Sequence, residues 1–221
     1  MEQNKPEDSA GESSNYDRHP QFNLAPAGPS RWQDFYGILA AIFTFIVIPV
    51  VIALFLTAFV IQSYQVDGYS MEKTLDNHDR LIVDKLPRSW ARITGHPYVP
   101  ARGNIIVFNQ TGLSDTIYQK QLIKRVIGLP GERVKIAGGT VTIFNKSHPK
   151  GFDPDTSGLY TINAEVTTGN EDVTLSSNEI FVMGDNRGNS EDSRYFGPVK
   201  LNNVVGELIL RILPIDHVKA F

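Results

Sequence analysis

The chain has 221 residues, enough for one folded domain with an elaboration and too few for two large ones. Its 21 Lys+Arg against 24 Asp+Glu give a net charge of −3, which argues against a strongly basic nucleic-acid binder. It has 0 Cys, excluding disulfides, thiol catalysis and cysteine-ligated zinc, while 41% hydrophobic residues exclude a wholly disordered chain.

Residues 1–34 are rich in Pro, Gly, Ser, Asn and acids and have no apolar period, so they read as a disordered polar tail. Lys5, Arg18 and Arg31 stand there against six carboxylates, so the tail carries the whole net charge. From Phe35 to Ile61 the chain is continuously apolar, and no charge occurs between Asp34 and Asp67. That span suffices to cross a bilayer, for which roughly 20 residues are needed. It is longer, and begins later, than the apolar region of a cleaved leader, so it reads as a retained anchor. Pro49 predicts a mid-span kink. Arg18 and Arg31 precede the span, whereas the first cation after it is Lys73; this bias places the N-terminus in the cytoplasm and the C-terminal body across the membrane.

Residues 62–221 form the remaining domain and read as mainly β. Short β-branched or alternating runs occur at 80–85, 104–109, 116–129, 132–137, 140–145, 179–184 and 204–215, separated by Gly and Pro punctuation. Gly138-Gly139 between two such runs predicts a two-residue hairpin. No amphipathic helix of a dozen residues follows the anchor. The polar stretch at about 146–178 reads as a flexible insert, and Trp90, in PRSWARITGHPYVP, as either a membrane-dipping tip or a packed loop residue.

Three segments carry candidate chemistry. In VDGYSMEKTLDNHD, residues 66–79, a serine follows a Gly-containing turn. Taken alone, a serine in a turn is usually a hydrogen-bonding residue. In IKRVIGLPGERV, residues 123–134, a strand places Lys124 on one face with Leu122 and Val126. Lysines are rarely buried without a reason. The third is the dense polar loop GDNRGNSEDSR, residues 184–194, which in isolation is a solvated turn.

In this order behind an anchor, with the strand GNIIVF at 103–108, the three segments resemble the type I signal peptidases of bacteria. The resemblance covers residues 35 to about 213. It implies two antiparallel β-sheet units, a Ser70 nucleophile and a Lys124 general base. It places Met71 beside the site, has Ser190 hydrogen-bond the Lys124 ammonium, and makes Asp192 and Arg194 an ion pair supporting the third motif together with Asp185. The Ser70 N–H would serve the oxyanion hole. Gly68 stands where some members carry a serine whose hydroxyl is the second oxyanion donor. Pro is common where this chain has Lys73, so Lys73→Pro is expected to be tolerated; Asp is usual where it has Gly188. The implied activity is removal of signal peptides from exported preproteins after small, A-x-A-like residues, on the outer face of a bacterial membrane. The implied partners are the preprotein signal peptides, the bilayer and the export machinery; neither cofactor nor metal is required.

The residue chemistry is coherent with that reading. A serine hydroxyl needs a base to become a nucleophile. A lysine of ordinary pKa is protonated at neutral pH, and burial lowers that pKa. A Ser-Lys pair is a known variant of triad chemistry. Other readings are weaker. Ser70-Met71-Glu72-Lys73 is also an S-x-x-K of the penicillin-recognising type, but its S-D-N and K-T-G companions are missing. Another Ser-Lys protease would share only the β core, and a non-enzymatic tethered β-domain would not depend on Ser70 or Lys124. Asp153 to Gly158 mimics the start of a calcium loop, but the twelfth position falls on Ala164, and the turn reading is preferred. The histidines have no metal-ligand spacing.

Overall fold

A computed structural model describes residues 31–110, 120–162 and 166–221. The expected tail, apart from residues 31–34, lies outside the described residues, as does the start of the 116–129 run. The described chain divides at Pro49 into an apolar helical unit and a unit running from Val50 to Phe221.

The apolar segment is helical throughout, as α1 (Arg31–Ile42), a π-turn (Phe43–Val47), α2 (Ile48–Phe55) and a second π-turn (Leu56–Val60). The first π-turn has a local cause. Pro49 has no N–H, and its ring crowds the carbonyl four residues back, so widening the turn just ahead of it relieves the clash. The 27 residues Asp34–Val60 are apolar enough to cross a membrane and are buried nowhere. At about 1.5 Å per residue they span roughly 40 Å, more than the ~30 Å of a hydrocarbon core.

Strand β1 (Ile61–Gln65) begins where the helix ends and pairs with β2 (Arg80–Asp84). Helix α3 (Leu86–Thr94) follows, then β3 (Ile105–Gln110), β4 (Lys120–Gly128), β5 (Arg133–Ala137), β6 (Thr140–Phe144), β7 (Glu171–Thr174) and β8 (Glu179–Met183). A one-turn helix α4 (Ser193–Phe196) precedes β9 (Val199–Lys200), β10 (Val204–Leu213) and β11 (Lys219–Ala220). The main sheet is antiparallel in the order β1-β2-β10-β3-β4-β8-β9, with β11 beside β10; a second has the order β6-β5-β7. The mainly β architecture in two antiparallel units is the one expected from sequence. Gly138 and Gly139, both at positive φ, close the β5–β6 hairpin. That geometry is costly for residues with a Cβ.

Two apolar cores explain the two sheets. Ile106, Phe108, Val126, Ile180, Val182 and Val204 pack on one side of the main sheet. Ile127, Val134, Ile136, Val141, Ile143, Phe181 and Met183 pack between it and the second sheet. β4 serves both, because Val126 and Ile127 point to opposite faces. Each fully buried Ile or Phe contributes roughly 1.5–3 kcal/mol.

Two polar segments take definite positions. Within 146–178, described residues on either side of 163–165 join the body. Phe152 bridges Ile143, β7 pairs with β5, and Asp155 holds the fully buried Arg187 in a bidentate ion pair. Most of the stretch's described residues are exposed, but Asp155 and Thr167 turn inward to the Arg187 guanidinium. The segment around Trp90 is the helix α3, not a loop; Pro87 lies in its first turn and Gly95, at φ 73°, caps its end.

Asp155→Ala would leave the Arg187 guanidinium buried and unpaired, which costs roughly 3–5 kcal/mol. For a body of this size the thermal midpoint should fall by roughly 10 °C. Calorimetry in detergent checks this, and the double variant Asp155→Ala/Arg187→Met should recover much of the loss.

Candidate active site

Ser70 lies on the turn that links β1 to β2. The turn is closed at Val66, whose N–H donates to the Asp79 carbonyl and whose carbonyl accepts the His78 N–H, each at 2.9 Å. Gly68, at φ 115°, donates its N–H to Asn77 Oδ1 at 3.0 Å, a conformation that a residue with a Cβ would adopt only with strain. After Ser70 the chain turns tightly, with the Thr74 and Leu75 N–H groups on the Met71 carbonyl. Met71 and Leu75 are buried with Val66, Leu81, Ile105 and Leu208, which fixes the turn from below.

Lys124 comes from β4, opposite Ile106 on β3. Its Nζ donates to Ser70 Oγ at 2.7 Å and to the Ile123 carbonyl at 3.0 Å. Only 3% of the residue is exposed. Burial pushes its pKa down to about 8, and Lys120 pushes the same way; Asp192, Glu191 and Asp185 oppose them. The opposition is limited because two of these carboxylates are already neutralised. Asp185 accepts from Arg125 Nε and Nη2 at 2.8 and 2.6 Å, and Asp192 from Arg194 Nε and Nη2 at 2.8 Å each.

The same two pairs hang the loop 184–194. Asp192 also accepts the Gly184 N–H and caps α4 through the Arg194 N–H. Arg194 reaches on to the carbonyls of Thr168 and Arg187. Asp185 accepts the Thr74 hydroxyl at 2.6 Å, tying the loop to the Ser70 turn. Asn186, next in the chain, donates its N–H to the Ser70 carbonyl at 3.0 Å and its side-chain amide to the Tyr69 carbonyl at 3.1 Å. Sequence reasoning missed Asn186, Arg125 and the Asp155–Arg187 pair. The only signal for them was their place inside the second and third motifs, or in the polar insert, where nothing names a partner.

One expected contact is absent. Ser190 does not hydrogen-bond Lys124. Its buried Oγ has no hydrogen-bond partner and packs over Gly184 beside the Ser70 carbonyl, where a Cβ on Gly184 would lie 2.2 Å from it. The lysine has turned instead to Ser70 Oγ and the Ile123 carbonyl. Gly188 has open space where a Cβ would be. Lys73 is exposed, at φ 75°. Proline is locked near −65°, so the expectation that Lys73→Pro is tolerated is corrected: this turn would have to rebuild.

A groove of about 630 Å³ opens over the pair. Tyr64 to Ser70 form one wall and Lys120 to Lys124 the other, with Leu81 and Val107 in the floor and Asn189 and Glu191 on the rim. β4 pairs with β8 only from Arg125 onward, so among the described residues Lys120 to Lys124 present an unpaired backbone edge to the groove. No described acceptor engages the Ser70 N–H.

A half-buried serine hydroxyl on a buried lysine, in an open groove of a β body, is the arrangement a serine hydrolase with a lysine base requires. The chain belongs to the signal peptidase family, peptidase S26, which it matches over residues 39–213. Relatives named Signal peptidase I include one from Leptolyngbya laminosa, 36% identical over 174 residues that cover 76% of each chain. Another, from Bacillus caldolyticus, is 36% identical over 168 residues, covering 72% of this chain and 83% of that one. A crystal structure of a signal peptidase I from Enterococcus faecalis V583 shares 31% identity, covers 49% of this chain and 96% of its own, and superposes with a TM-score of 0.36. The chain is accordingly a serine endopeptidase of the signal peptidase I type.

The lowered Lys124 pKa has a consequence for stability. Between about 8 and the ordinary value of 10.5 the unfolded chain binds the proton that the folded chain has lost, so stability rises with pH across that window. Below pH 8 the buried ammonium costs on the order of 3 kcal/mol. Lys124→Met should remove this rise and stabilise the protein at pH 7, as read by denaturant titration at pH 7 and pH 10.

Proposed function

We propose that the chain is a single-span membrane endopeptidase that cuts signal peptides from exported preproteins after small, A-x-A-like residues, with Ser70 as nucleophile and Lys124 as general base. The reading rests above all on the 2.7 Å contact between Ser70 Oγ and a buried lysine whose pKa is near 8. Neutral Lys124 takes the Ser70 hydroxyl proton as Oγ attacks the scissile carbonyl. The oxyanion forms at the open Ser70 N–H. The Lys124 ammonium then protonates the departing amine, leaving an acyl-serine. Lys124 next deprotonates a water as it attacks the ester carbonyl, and the resulting Lys124 ammonium protonates Ser70 Oγ as it leaves, which releases the acid and restores both groups.

An extended substrate fits the unpaired edge of β4 by adding a strand, with alternate side chains directed into the shallow groove. Met71, Gly68, Ser190, Asp185, Asp192 and Arg194 act by shaping the turn and the loop around the pair. The domain reading follows: a polar tail at 1–34, an anchor at 35–61, and a peptidase body at 62–221. The anchor holds the N-terminus in the cytoplasm and the body on the outer face, where preproteins emerge from the export machinery.

Ser70→Ala and Lys124→Ala should each abolish cleavage of a preprotein with an A-x-A site, while Lys73→Ala keeps most of it. An inactive Lys73→Ala beside an active Lys124→Ala would revive the S-x-x-K alternative. For the wild-type chain kcat/KM should rise about tenfold per pH unit below 8 and level off above it, since only neutral Lys124 accepts the proton. A profile already flat from pH 6 upward would contradict the assignment.

A further inference from the structure

We propose that α3 is an interfacial anchor that lays its apolar face into the phospholipid headgroup layer beside the end of the apolar span. This rests on the membrane-anchored reading above. The helix is amphipathic in the reverse sense to a surface helix of a water-soluble body. Leu86, Trp90 and Ile93 stand at i, i+4 and i+7, within roughly 60° of one another around the axis. All three are exposed, Trp90 by 68% and Ile93 by 78%. The half-buried side carries Pro87, Arg88, Ser89 and the small Ala91, and its polar members fasten the helix to the body. Arg88 Nη2 donates to the Asn202 carbonyl at 3.0 Å and Ser89 Oγ to the Phe59 carbonyl at 3.0 Å. In water this orientation would be inverted, with the apolar stripe inward.

Where the helix is fastened indicates what covers that stripe. Ser89 Oγ and Lys85 Nζ end on the carbonyls of Phe59 and Thr57. These lie in the last turn of the apolar helix, whose terminal carbonyls have no partners within the helix. Their donors therefore hold α3 at the depth where the span leaves the hydrocarbon. Tryptophan settles at that depth, and a short helix with a strong apolar face lies in that plane. Arg92, exposed on the flank, is placed for lipid phosphates.

The chain has two tryptophans, so Trp32→Phe leaves Trp90 as the single reporter. The full chain is reconstituted in phosphatidylcholine/phosphatidylglycerol vesicles with or without brominated acyl chains. Brominated lipid is expected to cut Trp90 emission at least twofold. A second reporter, Ile93→Trp in a chain also carrying Trp32→Phe and Trp90→Phe, should respond alike. Emission insensitive to bromine but open to aqueous iodide would overturn the proposal, and so would emission shielded from both, which would mean a protein partner. The readout does not involve cleavage: an inactive chain that is still quenched would sink the catalytic reading alone, and an active chain that is not quenched would sink this one alone.

Discussion

The site depends on keeping one lysine buried without giving it a carboxylate of its own. Desolvation lowers the pKa of Lys124, and an adjacent free Asp or Glu would raise it again and hold the proton. Asp185 and Asp192 lie close enough to act on it, yet each is bound in two-pronged fashion to an arginine. The arginines thus serve two ends. They discharge the nearby negative field, and they pin the loop that faces Ser70. Both pairs are almost fully buried, so neither guanidinium can be drawn off by solvent.

Through those pairs Ser70 inherits its position from distant parts of the chain. The Ser70 turn is gripped from below by Met71 and Leu75 and from above by Thr74–Asp185 and Asn186. Asp185 in turn is held by Arg125, next to the lysine on β4, and the Arg125 guanidinium lies over the Tyr160 ring. Burial and the Asp155 carboxylate push the Tyr160 phenol up from its ordinary value, so it keeps the proton it donates to Asp155 at 2.7 Å.

Much of this architecture was legible in the sequence because it obeys local rules. The β4 alternation predicted that Lys124 would share a face with apolar neighbours, and the glycine pair predicted the 138–139 hairpin. What escaped was structure whose pattern is ambiguous. β1, IQSYQ, follows the apolar helix directly, with neither Gly nor Pro to mark where helix becomes strand. β7, Glu171–Thr174, is short and has one apolar residue, Val173, so it is recognisable only once it pairs with β5 and sets that valine against the core. α3 had its proline and its capping glycine in plain view, but its apolar stripe faces outward, away from the core that such a stripe ordinarily implies. The missing Ser190–Lys124 bond was beyond any pattern, because it depends on which of several hydroxyls and carbonyls the lysine reaches.

The Asp155–Arg187 pair bears on how such a protein can be recombined. Arg187 belongs to the loop that lies against the Ser70 turn, whereas its carboxylate sits 32 positions earlier, on a segment that looks expendable. The two stretches are therefore one hereditary module. A chimera that exchanged residues 146–178 for a shorter loop would import a lone buried cation into the loop beside Ser70, unless position 187 were exchanged with it.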